Sequence, residues 1–119
     1  MGSSSEQRGH EAEEKAARYL AMKGYEILKT RYRSRFGDID LVLRKDGQII
    51  FLEVKFRSSL SYGRPVESVT ASKREKIVRT ARCFLCENGT EDMPCRFDVL
   101  ELWTEQGRWK ARHYKNVFD

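Results

Sequence analysis

An Asp-Gly pair set between two aliphatic runs constrains this chain more than any other feature. The stretch from Phe36 to Arg57 reads FGDIDLVLRKDGQIIFLEVKFR. Runs rich in Ile, Leu, Val and Phe flank Lys45-Asp46-Gly47-Gln48, which is the pattern of a β-hairpin closed by a two-residue turn. Such a turn pairs Lys45 with Gln48 and carries the register back along both strands until Asp40 stands opposite Glu53. A three-residue loop would slip the register by one and push Asp40 onto the core face, and the hydrophobic alternation favours the unslipped pairing.

Side chains alternate sides along a strand. One face of the predicted hairpin therefore collects Ile39, Leu41, Leu43, Ile50, Leu52, Val54 and Phe56, an unbroken apolar surface. The reverse face collects Asp38, Asp40, Glu53 and Lys55. Opposed residues in a sheet have Cβ atoms roughly 4.5–5.5 Å apart, and two like charges at that separation destabilise it. A divalent cation between Asp40 and Glu53 would offset the repulsion, and Lys55 adds a positive charge beside them. The competing reading is a solvent-facing hairpin side laced with salt bridges, which leaves the Asp40/Glu53 juxtaposition without a benefit.

The chain has 119 residues, 39% of them hydrophobic, enough for a single domain over 1–119 with one core. It has no run of membrane-spanning length and no apolar signal segment, so the expected location is cytoplasmic, with no membrane partner. Residues 1–6 are small or polar and are expected to be disordered. The formal net charge of +5 suits a polyanionic partner. Of the three cysteines, Cys83 and Cys86 form a lone CxxC inside a helical pattern. They read as reduced, buried small hydrophobes rather than a zinc site completed by Cys95 and a histidine.

A first helix is predicted from about Gln7 to Lys23, stopped by Gly24. Glu13, Ala16, Ala17 and Leu20 share one face of it, so Glu13 interrupts an apolar stripe, either as a candidate third carboxylate or as a charge near the helix start that reaches water, while Glu14 and Arg18 point to solvent. His10 reads as a surface histidine. A first strand follows over Tyr25 to Tyr32. Arg31, Arg33 and Arg35 then alternate along one side of an extended segment, either a solvated edge or a phosphate clamp. Arg57 to Val69 reads as a loop whose Arg57, Tyr62 and Arg64 could meet a nucleic-acid backbone or stack on a base. Ser72-Lys73-Arg74-Glu75 fits a capping box, which predicts a second helix from Lys73 to Glu87 that buries Ile77, Val78, Ala81, Phe84 and Leu85. Its outward Lys73, Lys76, Arg79 and Arg82 form a basic face, most simply a solvated one, that could also meet a nucleic-acid backbone. Strands over Arg96–Trp103 and Arg108–Tyr114 complete the series, with Trp103 and Trp109 as packing residues. The order α-β-β-β-α-β-β predicts an α/β fold with helices flanking one mixed sheet.

Asp40 followed by Glu53-Val54-Lys55 is a D(x12)ExK pattern. Phosphodiester hydrolysis needs an activated water and relief of charge on the phosphoryl oxygens, and hard carboxylate ligands holding Mg²⁺ or Mn²⁺ supply both. In that scheme Asp40 and Glu53 are principal ligands, Glu13 is a third, and Lys55 orients the water and stabilises the anionic transition state.

The same residues resemble the PD-(D/E)xK nuclease signature. More closely, the chain resembles the YraN-like family of small bacterial proteins related to archaeal Holliday junction resolvases. The matching segments are Gly9 with Glu13 to Leu20, Gly24-Tyr25, Gly37 to Leu41, Phe51 to Lys55, Tyr62 to Pro65, Lys73, and Arg96 to Val99. Asp38 stands where that family more often has Glu. The resemblance implies a restriction-endonuclease-like core, metal-site roles for Glu13, Asp40 and Glu53, and the catalytic lysine role for Lys55. It also implies a nucleic-acid substrate: DNA, with branched DNA among its forms, and RNA as the open alternative. Arg33, Arg35, Arg57, Tyr62, Arg64 and Lys73 are the candidate nucleic-acid contacts. A branched substrate implies a homodimer, since a four-way junction has two symmetric cutting positions. The competing function is a binding module of the same fold that does not cut.

Overall fold

The computed structural model describes residues 4–57 and 70–118, with side chains from residue 10 onward. Seven elements follow in the predicted order: α1 (Ser4–Met22), β1 (Glu26–Ser34), β2 (Gly37–Lys45), β3 (Gln48–Arg57), α2 (Ala71–Glu87), β4 (Cys95–Glu105) and β5 (Arg108–Tyr114). The strands form one sheet in the order β1-β2-β3-β4-β5. Every neighbouring pair is antiparallel except β3 and β4, which run parallel because the chain crosses over through α2. The architecture is α/β with a mixed sheet between two helices, as a restriction-endonuclease-like core requires.

The hairpin register matches the sequence reading. Lys45 pairs with Gln48, Leu43 with Ile50 and Leu41 with Leu52. Asp46 and Gly47 have φ of +52° and +75°, the left-handed pair that a two-residue turn needs if it is to follow the sheet twist. Gln106 and Gly107 repeat the device between β4 and β5, at +52° and +76°.

Two cores lie on opposite faces of the sheet. Beneath α1, Ala12, Ala16 and Leu20 pack on Leu41, Leu43, Ile50, Leu52, Leu100 and Leu102, with Val54 and Phe56 at the margin. Beneath α2, Ile77, Ala81 and Phe84 pack on Tyr32, Ile39, Val42, Ile49, Phe51 and Phe118. The reverse face of the hairpin is therefore not wholly polar: Val42, Ile49 and Phe51 are fully buried there, and the acidic residues occupy only its open end. Central strands of a sheet covered on both faces are apolar on both, which is why this stretch is so rich in Ile, Leu and Val.

Ile39 departs from the expected face. Leu41 belongs to the core under α1, whereas Ile39, two residues away, belongs to the core under α2 together with its cross-strand partner Tyr32. Arg31, between the Thr30–Leu41 and Tyr32–Ile39 pairs, has φ of +52°. That left-handed residue turns the strand over, and β2 turns with it at Asp40.

The helix starts also differ. α1 begins at Ser4, ahead of the predicted boundary. α2 is capped by Thr70 rather than Ser72: Thr70 is extended (φ −74°, ψ 165°) and its hydroxyl accepts from Lys73 N. Both residues are competent caps, and the one with extended backbone two residues earlier takes the role. Asn88 and Gly89 end α2 where expected. Cys83 is half-buried while Cys86 and Cys95 are exposed, and all three are free, so only Cys83 fits the buried-hydrophobe reading. No described helix is long and apolar enough to cross a membrane.

Candidate functional site

Beyond the Leu41–Leu52 pair the β2/β3 ladder ends, and the strands part at the positions of Asp40 and Glu53. A parted strand leaves backbone donors without a ladder partner, and a buried unpaired N–H is costly. Asp40 answers this directly, its Oδ2 accepting a 2.8 Å bond from Val54 N. The carboxylate is thereby drawn between the strands. Glu53 and Asp40 meet in a cleft of about 410 Å³, lined also by Phe36, Gly37 and Asp38 from the β1–β2 turn and by Lys73, Lys76 and Ile77 from α2.

The electrostatics of the pair follow from burial. Glu53 is pushed up to about 8, first by loss of solvent and then by the Asp40 charge, with Lys55 and Lys73 opposing. Asp40 is also raised, by burial above all. Val54 N–H works against this, and Glu13 and Asp38 add to it. Lys55 is lowered, by burial and then by the ammonium of Lys73, while Glu53 and Asp40 pull it back. Two carboxylates that each resist ionisation beside two crowded ammonium groups form a site whose charges are unbalanced from within. Glu53 Oε1 is buried and has no hydrogen-bond partner among the described residues.

Of the sequence-predicted residues, Asp40, Glu53, Lys55 and Lys73 come together here. Glu13 does not join them as a free ligand. It lies close enough to act on Asp40, but its Oε1 accepts a 2.6 Å bond from Arg31 Nε. Among the described residues no three Asp, Glu, His or Cys side chains are grouped closely enough to hold an ion together. The row of three arginines is broken by the turnover at Arg31. Arg31 pairs with α1, Arg33 stands exposed across from Asp38, and Arg35 lies over the Phe36 ring. Arg57 is turned to the buried Glu101, Nε to Oε2 3.4 Å. Tyr62 and Arg64 lie outside the described residues, and His10 is exposed.

Phe36, Lys76 and Thr80 were not among the predicted site residues. Lys76 and Thr80 share the side of α2 that starts at Lys73, by the spacing i, i+3, i+7, and that spacing was the available signal. A second polar cluster has a structural role. Asp98, completely buried, receives His113 Nε2 at 2.7 Å, Arg96 Nε at 3.0 Å and Asn116 N at 2.9 Å. Arg96 also donates to Tyr25 Oη and Gln48 Oε1, so one buried charge ties β4, β5, the start of β1 and the hairpin turn together.

A family model described as Uncharacterised protein family UPF0102 matches residues 12–102. The UPF0102 protein of Prosthecochloris aestuarii is 40% identical over 114 residues, covering 93% of this chain and 90% of that protein. The one from Lachnoclostridium phytofermentans is 43% identical over 108 residues, covering 90% and 88%. The one from Clostridioides difficile is 38% identical over 114 residues, covering 96% and 98%. This is the YraN-like family that the motifs resemble, and the chain belongs to it: uncharacterised protein family UPF0102.

Proposed function

We propose that the protein is a divalent-metal-dependent endonuclease acting on DNA, with branched DNA as the substrate form to test first. The observation that carries this reading is Glu53 Oε1, a buried carboxylate oxygen without a partner among the described residues, set beside a second raised carboxylate in an open cleft. The donors fit Mg²⁺ or Mn²⁺. They are hard oxygens, and two protein carboxylates leave room for the waters and phosphate oxygens that Mg²⁺ usually keeps. When bound, the ion would lower the pKa of a coordinated water and polarise the phosphoryl group.

The chain's own residues supply the rest. Asp40 and Glu53 would hold the ion, and Val54 N–H keeps the Asp40 carboxylate aimed. Lys55, beside both carboxylates, is suited to orienting the attacking water and stabilising the anionic transition state. Lys73 and Lys76 on the opposite wall of the cleft bring cations to the phosphodiester. A junction substrate calls for two such sites, hence a homodimer. The experiment is incubation of wild type, Asp40→Ala, Glu53→Ala and Lys55→Ala with junction, flapped and linear DNA in Mg²⁺ or Mn²⁺. Loss of cleavage in all three variants supports the reading, and equal cleavage by all four proteins sinks it.

One observation favours a second reading. Glu13 Oε1 is engaged by Arg31, and only Asp40 and Glu53 of the three carboxylates line the cleft. A binding module that does not cut would show salt-sensitive nucleic-acid binding that survives Asp40→Ala, with no product in any metal.

A further inference from the structure

The β1–β2 turn presents an aromatic ring at the lip of the acid cleft and gathers two guanidinium groups on it. Arg35 Cζ lies 4.9 Å from the Phe36 ring centroid and Arg79 Cζ lies 5.4 Å from it. Phe36 itself lines the cleft that holds Asp40 and Glu53. The turn beneath the ring is fixed. Ser34 Oγ accepts from Phe36 N at 3.0 Å and shares a 2.8 Å hydrogen bond with Thr80 Oγ1, and Thr80 is wholly buried. A buried threonine on α2 therefore sets where Phe36 stands, and Phe36 sets where the two arginines stand.

A guanidinium lying on an aromatic ring is attracted by its face while its N–H donors point outward in the guanidinium plane, ready for a phosphate. Holding it there in advance removes part of the rotamer entropy that a free arginine loses on binding. The internal competitor for Arg79 is Glu75, at 2.8 Å, but both partners are more than half exposed. Such a pair is weak and gives way to a phosphate at little cost. Lys73, Lys76 and Arg79 follow one another at intervals of three along α2, an oblique line of cations about 9 Å long at 1.5 Å rise per residue. It begins in the cleft and ends at Phe36.

We infer that Arg35 and Arg79, organised by Phe36, form a second phosphate-binding point that takes the nucleic-acid backbone as it leaves the acid cleft along α2. This rests on the reading that the cleft receives a phosphodiester, and it adds the direction of the strand, a positioning role for Phe36 and a contact independent of base sequence. The contacts are to phosphate, so they strengthen binding to duplex and junction alike.

The test is fluorescence anisotropy of labelled junction and duplex oligonucleotides in EDTA, across a range of salt, with the full chain. Arg35→Ala/Arg79→Ala is expected to weaken binding about tenfold or more. It should also flatten the dependence of log K on log salt by about 1.8, at about 0.9 per phosphate contact on double-stranded DNA. Both arginines are exposed, so the thermal midpoint should stay in place. Phe36→Leu should weaken binding although every charge is retained, and Phe36→Tyr should restore it. Arg108→Ala, at the exposed start of β5, should leave both affinity and slope unchanged. A double variant with wild-type affinity and slope overturns the inference, as does a Phe36→Leu variant that binds as tightly as wild type. Mn²⁺ titration of the same proteins separates the two readings. Absent Mn²⁺ binding with intact, arginine-dependent DNA binding defeats the nuclease reading and leaves the phosphate track standing.

Discussion

Asp40 Oδ2 accepts a hydrogen bond from Val54 N at 2.8 Å, at the place where β2 and β3 cease to pair. One side chain thus completes the backbone of the hairpin and supplies an acid to the cleft. The two duties separate by mutation. Asp40→Ala leaves Val54 N–H unpaired and should cost about 1–3 kcal/mol of stability. Asp40→Asn retains an acceptor of the same shape and should cost much less. Both should lose divalent-ion binding. Denaturant titration read against Mn²⁺ calorimetry checks the split.

Glu53 gives the metal-free protein a distinctive pH dependence. Its folded pKa of about 8 lies above the ordinary value of 4.5, so between these limits the folded chain holds a proton that the unfolded chain releases. Stability should therefore fall as pH rises from about 4.5 through about 8, with the full loss present above that. Glu53→Gln should remove this slope and melt higher than wild type at alkaline pH. Mn²⁺ should raise the wild-type midpoint most above pH 8 and do little for the variant. Thermal melts across the range decide it.

Asp98 should behave with the opposite sign. Burial alone would raise it, but His113, Arg96 and Asn116 N–H together hold it below the usual carboxylate range. Its contribution is present above pH 3.8, the unfolded value, and is lost as acid protonates the folded carboxylate. Asp98→Ala leaves the half-buried Arg96 and His113 without their shared acceptor and should cost about 1–3 kcal/mol. Circular dichroism during acid and urea titration would show it.

Arg31 restrains Glu13 from an unusual backbone position, at φ +52°. Arg31→Gly removes the partner and suits the left-handed backbone. The partly exposed ion pair is itself worth less than about 1 kcal/mol. Stability should be unchanged or slightly higher, and Mn²⁺ should bind severalfold more tightly if the released Glu13 turns to Asp40. Unchanged Mn²⁺ affinity would show that Arg31 does not withhold Glu13 from the ion.

What could be read from the chain alone was whatever repeats locally. Asp46-Gly47 specified its turn and register, the apolar spacing of Ala16 and Leu20 specified a buried helix face, and Asn88-Gly89 specified a helix end. The misplaced features depend on partners distant in sequence. The face taken by Ile39 is decided by Arg31 in another strand, and alternation within β2 carries no trace of it. The same holds at the site. Alternation sufficed to bring Asp40, Glu53 and Lys55 together, whereas Lys73 and Lys76 join them only because α2 crosses the sheet. The loss of Glu13 to Arg31 is a contest between two ion pairs that no local pattern records.

The parting of β2 from β3 has a further consequence. Among the described residues, β3 from Glu53 to Arg57 has no ladder partner on its β2 side, and a bare strand edge is a template for a second chain. Asp40 guards that edge by occupying Val54 N–H with a polar side chain. Replacement by alanine would expose a sticky seam, so inactivity measured on aggregated protein could be mistaken for lost chemistry, a hazard that monodispersity by light scattering would reveal.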